Sequence, residues 1–197
     1  DGNTVNVRSH ETNLGNLICD AMLWKTAADR SQIALMNGGG IRSGLSAGPI
    51  SYGQILEVMP FGSTIARVLL TGEQVLAALE HGVSHVGDTE STGRFAQVAG
   101  VRYRYSADRP SGQRVLHAEV RQGQDYAPLD RSATYNVMVN SFMLRGGDGY
   151  TMFADGREQL DMGFVLADAV AEYITAHSPV SPQVEGRIVA DIQRVLP

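Results

Sequence analysis

Two strand-like runs in this chain end in glycine-rich turns. Ile33 to Met36 leads into Asn37-Gly38-Gly39-Gly40-Ile41-Arg42. A segment at 133–140 leads into Ser141-Phe142-Met143-Leu144-Arg145-Gly146-Gly147-Asp148-Gly149-Tyr150. Apolar runs this short read as strands rather than helices. Each glycine loop therefore leaves the end of a strand, where it can sit at the edge of a sheet. Glycine admits left-handed backbone conformations. Successive N–H groups in such a turn can converge on an anion. Asn37 adds an amide and Arg42 a planar charged fork suited to phosphate or carboxylate. On these residues alone, an anion-holding loop and a plain glycine turn both fit.

Better-known glycine signatures do not fit. The first loop has no lysine, so it is no P-loop, and Ser43 stands where a dinucleotide fingerprint needs its third glycine. Gly44-Leu45-Ser46-Ala47-Gly48 matches G-x-S-x-G. That nucleophile elbow needs a strand before it and a helix after it. A glycine loop precedes this one and Pro49 follows, which argues against an esterase built on Ser46.

The rest of the pattern alternates strands and helices. Residues 4–8 alternate like a short strand end. Thr12 offers an N-cap to a helix over 12–27, whose buried face carries Leu14, Leu17, Ile18, Ala21 and Met22. Ser51-x-x-Gln54 and Thr71-x-x-Gln74 are capping boxes. The first opens a short helix that Pro60 stops; the second opens a helix to about residue 84. Strands are expected at 32–36, 64–70, 95–105, 114–121 and 133–140, with a last one within 184–189. A polar loop spans 86–94, and Leu166, Ala169, Val170, Tyr173 and Ile174 mark a late helix. His81 and His85 have the spacing of a helical metal pair, but no glutamate completes H-E-x-x-H. Histidines near a helix C-terminus also suit the dipole.

Composition narrows the class. A length of 197 residues favours one domain, able to bury about 70% of the unfolded chain's surface. No apolar run approaches the ~20 residues of a membrane span. A net charge of -5, without a basic block, makes duplex nucleic acid a poor partner. Cys19 is the one cysteine, which excludes an internal disulfide; it falls on an apolar helical face and is expected buried and inert. The chain opens Asp1-Gly-Asn rather than with methionine, as if a segment preceded it.

Phe61 and Phe142 stand in loops rather than in a core pattern. Together with Asn37, Arg42 and Asp148 they could enclose a flat, sugar-bearing anion. Asp148 would accept from a diol, Arg42 would meet the anion, and a base would lie between the rings. Ordinary packing under a loop is the plainer alternative for each ring.

The chain resembles the C-terminal domain of the 5'-nucleotidase family, which includes UDP-sugar hydrolases and 2',3'-cyclic-nucleotide phosphodiesterases. The resemblance covers nearly the whole chain. It is carried by Glu11-Thr-Asn-Leu-Gly-Asn-Leu-Ile-Cys-Asp-Ala-Met22, Asn37-Gly-Gly-Gly-Ile-Arg42, Ile50-Ser-Tyr-Gly53, Met59-Pro-Phe-Gly62, Leu70-Thr-Gly-Glu73, Phe95-Ala-Gln-Val98, Tyr135-Asn-Val and Gly146-Gly-Asp-Gly-Tyr150. It implies a single α/β domain of mixed sheets in an α/β/β/α layering. It implies a nucleotide or nucleoside ligand whose base is clamped by Phe61 and Phe142. The ribose-binding aspartate falls on Asp148. Further polar contacts fall on Asn37, Arg42 and Arg8, with a backbone contact from Gly93. Some members carry another arginine where this chain has Thr4.

The resemblance also implies a division of labour. In this family two divalent metals do the hydrolytic work in an N-terminal metallophosphatase domain marked by G-N-H-[DE]. That motif is not found here, and His10, His81, His85, His117 and His177 are scattered. No catalytic residue, metal ligand or cofactor is therefore assigned to this chain. It is expected to be the substrate-recognition half of a secreted or periplasmic hydrolase, inactive in isolation. The alternative is a stand-alone nucleoside- or nucleotide-binding module.

Overall fold

The computed structural model describes residues 1–88 and 92–191. Among these residues nine strands form two mixed sheets. The larger contains β1 (Ile33–Asn37), β2 (Thr64–Thr71), β3 (Ala96–Ala99), β7 (Thr134–Asn140) and β8 (Arg157–Val165), in the order β3-β1-β7-β2-β8. The smaller contains β4 (Val101–Tyr105), β5 (Val115–Gln122), β6 (Asp125–Pro128) and β9 (Ile188–Ala190), in the order β6-β5-β4-β9. Among the described residues only β1–β7 and β4–β9 pair in parallel.

Helices α1 (Asn13–Lys25), α2 (Tyr52–Val58) and α5 (Leu166–His177) cover one face of the large sheet. Leu17, Ile18, Met22, Ile55 and Val170 meet Ala34, Met36, Ile65 and Met138 there. The other face packs against α3 (Gly72–Val83) and the small sheet, where Val75 and Leu79 join Ile33, Leu35, Val68, Val137, Tyr103 and Val120. The single-domain α/β architecture of two mixed sheets with packed helices is the expected one. Every residue of β1 is buried. Coverage on both faces explains why its sequence is a continuous apolar run without alternation. Full burial of a side chain such as Leu35 is worth about 2 kcal/mol.

The capping signals form as the sequence predicts. Thr12 accepts from Gly15 N, and both Ser51 and Thr71 complete reciprocal capping boxes with Gln54 and Gln74. Cys19 is fully buried, and burial pushes its thiol pKa up.

Elsewhere the chain departs from the expected pattern. Residues 4–8 do not extend: Asn6–Arg8 is a 3-10 turn. Asn3 Oδ1 accepts from Val5 N and Asp1 Oδ2 from Asn6 Nδ2, so local side-chain bonds displace a strand. The expected strand at 95–105 is two strands in different sheets. Between them Gly100 has φ 74°, and a Cβ there would lie 1.9 Å from Gln32 O, so the chain crosses between sheets where only glycine fits. Strand β8 has no sequence signal because it is an exposed edge strand with register shifts and positive φ at Glu158 and Gly163. Strand β6 is likewise a short edge. Residues 89–91 of the expected polar loop lie outside the described residues.

Candidate functional site

The sheet order explains why distant loops meet. Strands β1 and β7 are adjacent and parallel, so their carboxyl ends, Asn37 and Asn140, lie at the same edge. Both glycine loops leave from that edge. Strand β3 runs antiparallel to β1 with Ala96 opposite Asn37, which brings Gly93 and Arg94 to the same end. Strand β2 runs antiparallel to β7 with Ile65 opposite Asn140, which brings Phe61 to Ser63 there too. The crevice outside the carboxyl ends of sheet strands is where open α/β sheets hold ligands.

A cleft of about 400 Å³ opens at this edge, within the range of small-molecule sites. Its lining includes Arg8, Asn37, Arg42, Phe61, Gly93, Phe142 and Asp148. All seven residues singled out in the sequence thus face one space. Among the described residues the charged lining is three guanidiniums, Arg8, Arg42 and Arg145, against one carboxylate, Asp148. That balance favours an anionic occupant.

The two phenylalanines are not core residues. Phe61 is 63% exposed and Phe142 43%. Phe61 follows Pro60 after α2 ends at Val58, and Gly62 turns the chain away with φ 60°. Phe142 stands on the single turn α4 (Ser141–Leu144), capped by Asn140, whose side chain accepts from Met143 N. Met143 points into the core while Phe142 points out. Among the ring contacts of the described residues the two phenylalanines do not touch each other. The Arg42 guanidinium lies 5.9 Å from the Phe61 ring centre, a cation–π distance.

Asn37 is 2% exposed and heavily engaged. Its Nδ2 donates to Asp148 Oδ2 at 2.6 Å, and its Oδ1 accepts from Asn140 Nδ2 at 2.7 Å. Gly93 is tied to the first loop, since Gly39 N donates to Gly93 O at 2.8 Å. A Cβ at Gly93 would sit 2.7 Å from Asp148 Oδ2. Its contribution is the close approach that a side chain would block.

Sequence reasoning missed Asn140, which brackets Asn37, and Arg145, Ser63, Met36 and Met59 in the cleft lining. Asn140 did carry a signal: a short polar residue just ahead of Ser141 and Phe142 is an N-cap candidate. Both histidines are engaged by protein groups. His81 Nε2 bonds Asp148 O, and His85 pairs with Asp88. Among the described residues no group of three or more His, Cys, Asp and Glu could hold a metal ion. At Gly44–Gly48 no helix follows the serine, so the elbow geometry is missing. No helix of the described residues is long and apolar enough to cross a membrane.

Fold and cleft together define a two-sheet α/β domain with a basic, ring-lined crevice at the carboxyl ends of its parallel strands. Residues 1–155 match the family described as 5'-nucleotidase, C-terminal domain, and the chain belongs to that family. It is 42% identical over 191 residues to a trifunctional nucleotide phosphoesterase of Bacillus subtilis, covering 95% of this chain and 13% of that protein. It is 34% identical over 204 residues to a snake venom 5'-nucleotidase of Crotalus adamanteus, covering 96% of this chain and 34% of the relative. The crystal structure of a 5'-nucleotidase precursor from Thermus thermophilus superposes with TM-score 0.93 at 46% identity, over 96% of this chain and 37% of that one. The chain therefore spans only a minor part of these relatives' length.

Proposed function

We propose that this chain is the nucleotide-recognition domain of a 5'-nucleotidase-type phosphohydrolase. In this reading a nucleobase lies between Phe61 and Phe142. Asp148 accepts from the ribose hydroxyls while Asn37 holds the carboxylate in place. Arg8 and Arg42 meet the phosphate. The observation that carries the reading is the convergence of two exposed rings, an aspartate and a set of guanidiniums on one nucleotide-sized cleft. Stacking on aromatic rings contributes about 1–3 kcal/mol per base and tolerates different bases.

The bond-breaking chemistry belongs elsewhere in the whole protein. The described residues offer no cluster of metal-ligating side chains, so no metal-assisted step is derived for them. Two divalent metals in an N-terminal metallophosphatase domain of the same polypeptide would supply the activated water. This domain's part is to bind and orient the nucleotide. A secreted or periplasmic setting belongs to the same reading, supported by the venom relative.

Calorimetric titration with AMP tests the proposal. The chain is expected to bind it, and Phe61→Ala or Phe142→Ala to weaken binding by about tenfold or more. Unchanged affinity in both folded variants contradicts the clamp. Phosphate release from AMP by the purified chain with added Mg²⁺ or Zn²⁺, at enzyme-like rates, contradicts the division of labour.

A further inference from the structure

Asp148 sits in an unusual backbone conformation. Its φ of 54° and ψ of 17° are left-handed, a region that only three non-glycine residues of the described chain occupy. Such a conformation is unfavourable for a residue with a Cβ and persists where surrounding contacts enforce it. Here two contacts from different elements do so. Asn37, at the end of β1, donates to the carboxylate at 2.6 Å. His81, on α3, places Nε2 2.8 Å from the Asp148 carbonyl oxygen. One residue is thus held at both its side chain and its backbone.

The imidazole is itself held. Its ring packs edge-on against Tyr150, with centres 4.7 Å apart and planes at 72°. The Tyr150 hydroxyl donates to Arg94 O at 2.5 Å. Gly149, at φ 86°, leaves the ring its space: a Cβ there would lie 2.8 Å from His81 Cε1 and 3.0 Å from Nε2. The acceptor is a carbonyl, so Nε2 carries the proton. Burial lowers the imidazole pKa from its ordinary value; Arg94 and His85 add to the lowering, while the Asp148 hydrogen bond and charge oppose it. The neutral ring donates as needed. His81 does not line the cleft, and its hydrogen bond to a lining residue is the one to Asp148.

We infer that His81 is a positioning residue for ribose recognition, holding Asp148 in the left-handed turn that presents its carboxylate to the cleft. The inference rests on the reading of Asp148 as the ribose partner. It separates His81 from residues that merely stabilise the fold, because its effect should depend on the sugar hydroxyls.

The test is calorimetry on the whole chain with adenosine and with 2',3'-dideoxyadenosine, whose sugar lacks the 2'- and 3'-hydroxyls. Wild type is expected to favour adenosine. His81→Ala should weaken adenosine binding about tenfold, the scale of a hydrogen bond to a charged group, and leave dideoxyadenosine binding nearly unchanged. His81→Gln, which keeps an N–H donor, should recover most of the loss. His81→Phe keeps the ring packing without the donor; it should behave like His81→Ala and serves if that variant does not fold. Equal weakening of both nucleosides, or unchanged adenosine binding, overturns the inference. If wild type binds both nucleosides equally, or neither, the ribose reading itself fails. His81 is then judged without ligand from the amide NMR shifts of Gly149 and Tyr150. These should move in His81→Phe and return in His81→Gln; unmoved amides overturn the positioning role.

Discussion

Asn37 and Asp148 are 111 positions apart in the chain, yet the Asn37 amide donates to the Asp148 carboxylate at 2.6 Å. The bond joins the two glycine loops across the mouth of the β1–β7 strand pair. Asn140 completes it from behind by donating to Asn37 Oδ1 at 2.7 Å. Asn37 therefore acts first as a bracket for the aspartate. Replacing it with aspartate removes the donor and sets a second carboxylate beside Asp148. Asn37→Asp is expected to lower stability by on the order of 2 kcal/mol and to reduce AMP affinity. Urea unfolding and calorimetry on the same variant check both. An unchanged midpoint and affinity would show that the bracket is dispensable.

Gly93 offers a cleaner separation of folding from binding. A methyl group there would press against Asp148 Oδ2 and Gly39 Cα, at 2.7 and 3.1 Å. Its backbone does not need positive φ, so alanine should be tolerated by the local fold. Gly93→Ala is expected to weaken AMP binding about tenfold, the scale of a displaced charged hydrogen bond, with a smaller change in melting temperature. Full-affinity binding by this variant would mean that the carboxylate has room to shift without loss.

The Arg187–Asp20 pair ties the far end of the chain to α1. Arg187 is 8% exposed and donates to both Asp20 oxygens at 2.9 and 2.8 Å. It also reaches Glu185 and Val98 O. The pair stands immediately before β9, which joins the small sheet beside β4. Arg187→Ala leaves the partly buried Asp20 carboxylate without its cation. Breaking such a pair costs on the order of 3 kcal/mol. Adding Asp20→Asn should restore part of the loss. A destabilisation under about 1 kcal/mol, read from urea unfolding, would place this pair with ordinary surface ion pairs.

The lowered pKa of His81 has a pH consequence. A histidine whose folded pKa lies below its unfolded value binds protons more readily unfolded. It therefore costs stability as pH falls below the unfolded value of about 6.5, and nothing above it. The sign follows from burial as the leading cause. His81→Gln cannot titrate. The stability difference between wild type and His81→Gln should shift in favour of the variant as pH drops from 7.5 to 5.5. Paired denaturation curves across that range decide it, and a difference constant with pH contradicts it.

The helices were legible because their signals are local. Capping boxes at Ser51 and Thr71 and the apolar face of α1 act within a few residues. The buried strand β1 was legible as an apolar run. Strand β8 was not, because an exposed edge strand has no buried face to impose alternation. Neither was the break at Gly100, where one strand-like stretch serves two sheets. For the cleft, the individual residues were visible as oddities, phenylalanines and an aspartate in loops. Their convergence was not, because it depends on β1 and β7 being parallel neighbours, a pairing between segments about a hundred residues apart. The bracket through Asn140 and the grip of His81 on Asp148 were hidden for the same reason.

The most direct measurement is a crystal structure of this chain with AMP bound. The base should lie between the Phe61 and Phe142 rings, with a ribose hydroxyl within hydrogen-bond distance of Asp148 and the phosphate towards Arg8 and Arg42. A base bound outside the two rings, or a cleft left unfilled at saturating nucleotide, would contradict nucleotide recognition at this sheet edge.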